Sequence, residues 1–186
     1  MKRGLKVHAL PELQETSDLP CDTGSSPSKL TSEFSTGEYA GCVDLSLVHE
    51  GWNSKTGKWS PASSAIEARA KEARIWLREL AEEAHKKGEV NGNGDVEIVV
   101  VTHGGYLHYF TEDWVGMGEF VGTGWMNTEF RSYEFEGAGD GLRETETSRR
   151  RRGKGQELSR DEQRELRASA ERENEEKGFI GGNAKL

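Results

Sequence analysis

Between residues 96 and 105 the chain reads Val96-Glu97-Ile98-Val99-Val100-Val101-Thr102-His103-Gly104-Gly105, and no other stretch constrains its fold so tightly. Nearly continuous β-branched residues predict a strand covered on both faces, as in an α/β sheet. The two glycines free the backbone where an extended segment must turn, and GYLHYFTEDW predicts a helix beginning after Gly105. A longer helix is predicted upstream, from about Pro61 to Lys87. Ser60-Pro61 offers a cap and a first helical position. Ile66, Ala70, Ala73, Leu77, Leu80 and Ala84 then recur at alternating intervals of four and three, one buried stripe. Lys86-Lys87-Gly88 closes it with cations and a C-cap glycine, and the turn Asn91-Gly92-Asn93-Gly94 leads into the strand. Helix, turn, strand and helix in this order point to an α/β fold.

The remaining elements are shorter. Leu5 to Leu10 reads as a strand that Pro11 ends, and ETSDLPCDTGSSPSKL is a loop by composition. Residues 40–60 read as irregular, anchored by Trp52 and Trp59. Phe130 to Phe135 alternates like a further strand. Beyond it the apolar pattern stops, which divides the chain into a core-forming part, 1–135, and a charged extension, 136–186. Leu, Ile, Val and Phe supply 28 residues of the first part and 6 of the second, so only the first is expected to bury a core. Within the extension, SRRRRGKG is a basic run in a flexible linker, with Arg149 to Arg152 read as solvated linker or, alternatively, as a nuclear-import or acidic-partner patch. Residues 158–177 form a charged helix that is marginal unless it docks on something.

Charge narrows the function. The first part holds 13 Lys/Arg against 21 Asp/Glu, and the extension 12 of each. An acidic body with no basic excess argues against nucleic acid and against anionic membranes. No apolar run reaches the length of a membrane span, and MKRGLKVHALPEL has no continuous apolar region of a signal peptide. Cys21 and Cys42 make no disulfide framework. These features suit a cytoplasmic protein, or a nuclear one.

Chemistry is expected where Thr102-His103-Gly104-Gly105 leaves the carboxyl end of the strand, the usual ligand crevice of open α/β sheets. Free N–H groups at the start of the following helix favour an anion such as phosphate, with Gly104 allowing close approach. His103 would donate to that anion or exchange its proton near neutral pH. A histidine that only caps a strand-to-helix turn would look the same.

VVVTHGGYLHYFTEDW, preceded by ALPELQETSDLPCDTG and followed by GTGWMNTEFRSYEF, resembles the phosphoglycerate-mutase-like histidine phosphatases, above all a branch common in fungi. EARAKEARIWL matches as well, and the likeness covers about residues 5–135. The resemblance implies a three-layer α/β/α sheet and hydrolysis of a small phosphomonoester through a phosphohistidine, with no cofactor and no metal. It implies that His103, in the Thr-His-Gly-Gly motif, binds the transferring phosphoryl group. It also implies that Glu15, in Leu13-Gln14-Glu15, protonates the leaving oxygen. A carboxylate does so only if its pKa is raised, as burial beside bound phosphate would raise it.

The departures from the family pattern are as informative. The nucleophilic histidine of an Arg-His-Gly motif has no counterpart in this chain: Arg3-Gly4 lacks the histidine, and His8 stands where the family has no catalytic group. The arginine segment that clamps phosphate is missing too, and both are expected N-terminal to Met1. The sheet is therefore expected to be incomplete at its N-terminus, with unpaired strand edges. A chain of this kind would fold poorly alone, associate, or need a complementary segment. Phosphatase activity is expected to be slight or absent. The alternative is a non-catalytic module that holds a phosphorylated ligand or, through its charged C-terminal region, a protein partner.

Other constellations point to structure. His103 and His108 are badly spaced for a shared metal, and Cys21, Cys42 and His49 lack zinc spacing. His108, Trp114 and Trp125 read as packing or capping residues, and Asn127 and Arg131 as structural.

Overall fold

The computed structural model describes residues 6–117 and 124–176. The start of the strand expected from Leu5, the Gly122-Thr123 end of one motif and the last residue of the C-terminal helix lie outside these. The architecture is mixed α/β. Strand β1 (Val7–His8) pairs in parallel with β2 (Val43–Asp44), and Pro11, buried at the start of a 3-10 turn, ends the first. Helix α1 (Pro27–Phe34) forms inside the polar stretch read as loop. Ser26 caps it by accepting from the Lys29 amide, and Pro27 occupies its first turn.

The core is built by α2 (Ser63–Lys86) and α3 (Gly104–Thr111). Helix α2 starts two residues later than its proline suggests, because Ser60 still belongs to the 3-10 turn Gly57–Trp59. Its stripe buries Ile66, Ala70, Ala73 and Leu77 against Tyr106, Tyr109, Phe110 and Trp114. The two alanines are fully enclosed, so the helices approach closely, and each large apolar side chain contributes about 1.5–3 kcal/mol. His108 is enclosed as well, stacked on Trp114 at 5.6 Å with Nδ1 2.6 Å from the Asp113 carbonyl.

The segment between these helices departs from expectation. Residues 96–101 alternate between half-buried and exposed with the period of an extended segment, but they join no ladder with another described residue. One face is covered: Ile98 and Val100 pack on the core, while Val99 and Val101 are 81% and 86% exposed. Local sterics make β-branched residues extended, but a sheet also needs a neighbouring backbone, and no described strand lies alongside. The described sheets are accordingly two pairs, β1–β2 and the antiparallel β3 (Tyr133–Phe135) with β4 (Leu142–Glu144).

Residues beyond Phe135 pack on this core. The β3–β4 hairpin turns through Glu136 to Gly141, and α4 (Glu146–Arg151), capped by Thr145, stands where the basic run was expected to be a flexible linker. Helix α5 (Arg160–Glu176) lays Leu166 and Ala170 on the α2–α3 cluster. Gln163 accepts from the Trp114 amide at 2.8 Å, and Arg167 grips Glu67 with both Nη atoms, at 3.1 and 3.0 Å. The marginal charged helix is thus docked, and Arg131 is structural: it bridges Asp113 and Glu129 at 2.8 Å each and lies 3.4 Å over Trp125. Among the described residues no helix is long and apolar enough to cross a membrane.

Candidate functional site

Glu15 and His103, far apart in sequence, meet at the start of α3. Oε2 of Glu15 lies 3.5 Å from Nδ1 of His103. The glutamate is mostly buried and the imidazole half exposed, so one side of the pair faces protein and the other solvent. Oε1 of Glu15 accepts from the Thr16 amide at 2.7 Å and from its hydroxyl at 3.1 Å, which fixes the carboxylate plane.

His103 is the N-cap residue of α3, and its side chain does not cap the helix. The first helical bond runs from the Leu107 amide to the His103 carbonyl. The amides of Gly104, Gly105 and Tyr106 therefore stand without intrahelical acceptors at the positive end of the helix dipole. Gly105 borders the carboxylate: a Cβ there would come within 3.4 Å of Glu15 Oε1 and 3.3 Å of Thr16 Oγ1. Together these groups make a small surface with an imidazole, a carboxyl group and a set of amide donors.

What holds Glu15 is a loop with its carbonyls tied down one after another. Gln14 Nε2 donates to Pro11, and Arg69 Nη1 donates to both Glu12 and Gln14. The Thr102 hydroxyl donates to Leu13 at 2.7 Å, and Lys55 Nζ to Glu15 at 3.1 Å. The Thr102 bond links the residue before His103 directly to the loop of Glu15. Gln14 also reaches the Trp52 carbonyl, so the irregular segment around the tryptophan braces the same loop.

Helix α2 supplies the clamps. Arg69 is fully buried beneath the loop, 5.3 Å over the Tyr106 ring, and burial lowers its pKa from the ordinary arginine value. One turn further on, Arg74 Nη1 donates to the Tyr109 and Phe110 carbonyls, satisfying the last turn of α3, while its other nitrogens hold Asp140. One helix thus fixes both the acid-bearing loop and the far end of the helix that starts at His103. The Lys55 ammonium, bonded to the Glu15 carbonyl, has its pKa lowered by burial and then by the charge of Arg69. Sequence reading passed over Arg69, Arg74 and Lys55. The signal for the two arginines is weak, since they border the apolar stripe of α2 on either side.

A cleft of about 790 Å³ lies elsewhere, between α5 and the β3–β4 hairpin, lined among others by Glu67, Asp113, Arg152 and Arg167. Its charges are largely spent on each other: Arg152 pairs with Glu144 at 2.5 Å and Arg167 with Glu67 at 3.0 Å. Its size alone does not outweigh the chemistry at Glu15 and His103. The chain matches no family model, no curated protein and no solved structure.

Proposed function

We propose that this chain carries the acid and phosphoryl-binding half of a phosphoglycerate-mutase-like histidine phosphatase, and that it binds the phosphoryl group of a small phosphomonoester. The observation that supports this reading is the 3.5 Å pairing of Glu15 with His103 at the start of α3. The amides of Gly104 and Gly105 and the imidazole of His103 donate to phosphate oxygens, and Glu15 stands beside them to protonate a leaving oxygen. In the complete family domain, a three-layer α/β/α fold, a histidine attacks phosphorus, the alcohol leaves with the proton of the acid, and water hydrolyses the phosphohistidine. No Arg-His-Gly occurs in these 186 residues, so the chain binds phosphate without turning it over.

Titration of the full chain with inorganic phosphate, followed by calorimetry, tests this. Binding is expected, and His103→Gln should weaken it about tenfold or more, the value of one charge-assisted hydrogen bond. A chromogenic aryl phosphate should remain unhydrolysed. Equal phosphate affinity in the variant would remove the reading.

A further inference from the structure

Arg69 is a cation that the fold buries without an ion-pair partner among the described residues. Its side chain is fully enclosed, and Nη1 donates to the Glu12 and Gln14 carbonyls at 2.9 and 3.1 Å. Nε and Nη2 have no hydrogen-bond partner among the described residues, and neither has the buried hydroxyl of Tyr106, whose ring lies 5.3 Å from the guanidinium. The acids of the same loop are engaged elsewhere: Glu12 holds Lys58 at 2.7 Å, and Glu15 faces His103 at 3.5 Å. A guanidinium does not shed its proton, so burial leaves a fixed positive charge in a medium of low dielectric. Bracing a loop does not by itself call for one, since a paired charge or a packed apolar residue costs less there.

We infer that Arg69 supplies the fixed positive charge of the phosphate site, acting through space on an anion held by His103 and the amides of Gly104 and Gly105. This role rests on the phosphate-binding reading above. Two sets of contacts place the charge beneath both halves of the site. The carbonyls it serves belong to Glu12 and Gln14, in the loop that leads into Glu15. Tyr106, under the same guanidinium, lies in the first turn of α3, whose N-cap is His103. The field of Arg69 extends to the groups around that loop. Burial lowers the pKa of Arg69 while the Glu12 and Glu15 carboxylates oppose it, and its charge, after burial, lowers that of Lys55. A buried charge is screened less than an exposed one, and it needs no reordering when the anion arrives.

The charge of the ligand separates this role from a purely mechanical one. At about pH 8 phosphate is chiefly a dianion, whereas hypophosphite is a tetrahedral monoanion, and calorimetry on the full chain measures both. Arg69→Met should weaken phosphate about tenfold and hypophosphite about threefold, because a field acts on the monoanion with half the free energy. Loss of a mechanical brace would weaken the two by the same factor. In the parent, the buried Nε–H of Arg69 should exchange slowly enough to be followed by NMR, and its resonance should shift as phosphate saturates the site. An equal loss for both anions would overturn the inference, and so would an Arg69→Met variant with undiminished phosphate affinity. An Arg69 resonance that saturating phosphate leaves unmoved would overturn it too, even where the variant fails to fold. A parent that binds no phosphate would remove the phosphate reading, and this role with it.

Discussion

The hydroxyl of Thr102 donates a 2.7 Å hydrogen bond to the carbonyl of Leu13, and this bond fastens the segment that ends in His103 to the loop that carries Glu15. The extended segment has no ladder to position it among the described residues, so a side-chain tie does so instead. Thr102→Val keeps the shape and removes the donor. It should cost about 1 kcal/mol in urea unfolding, the net value of one such bond, and should weaken phosphate binding in the same titration.

Arg69 gives a larger effect. Arg69→Met keeps the volume but leaves the Glu12 and Gln14 carbonyls without their donor. Removing a fully buried charge offsets part of that loss, so the expected destabilisation is about 2 kcal/mol. Arg69→Lys should recover some of it. Chemical denaturation of the two variants beside the parent checks the order.

Gly105→Ala should separate stability from binding. Alanine favours the helix by up to about 1 kcal/mol, so the melting temperature should not fall. Its Cβ would nevertheless press on Thr16 Oγ1 and Glu15 Oε1, moving the carboxylate by a few tenths of an ångström. Phosphate affinity should drop about threefold to tenfold. A drop in stability with affinity intact would contradict the placement of Glu15 against α3.

The docking of α5 should weaken in acid. The bond from Arg167 lowers the pKa of Glu67 below its ordinary value of 4.5, with burial opposing. A carboxylate depressed in the folded state contributes stability above its unfolded pKa and loses it as pH falls through the folded value. Glu67 is half exposed, so solvent screening limits the contribution to about 0.5 kcal/mol. Melting curves between pH 6 and 3 should show Glu67→Gln less stable than the parent at pH 6, the gap closing towards pH 3. A gap independent of pH would assign the effect to packing.

Local pattern made several of these parts legible in the sequence. The stripe of α2 followed from spacing, the start of α3 from His103-Gly104-Gly105, and the end of β1 from Pro11. The sequence marks both His103 and Glu15 as candidates, Glu15 only through the family likeness of Leu13-Gln14-Glu15. Helix α1 was missed because its cap and proline lie in a stretch whose composition reads as loop. Arg69 was passed over because one arginine bordering an apolar stripe looks like an irregularity until the carbonyls it serves are in view.

By itself the sequence determined conformation: residues 96–101 are extended because β-branched side chains restrict their own backbone, and residues 63–86 are helical because their apolar side chains recur every three or four positions. Tertiary structure alone decided which groups meet. It laid the Glu15 loop across Arg69, joined Leu13 to Thr102, set the charged α5 on Trp114, and left the edge at Val99 without a neighbouring strand among the described residues. Hydrogen bonds to carbonyls carry no side-chain signature at the accepting residue, so Glu12, Leu13 and Gln14 could not announce their donors. A strand edge is open or closed according to what lies beside it, and that neighbour is nowhere encoded in the six residues themselves.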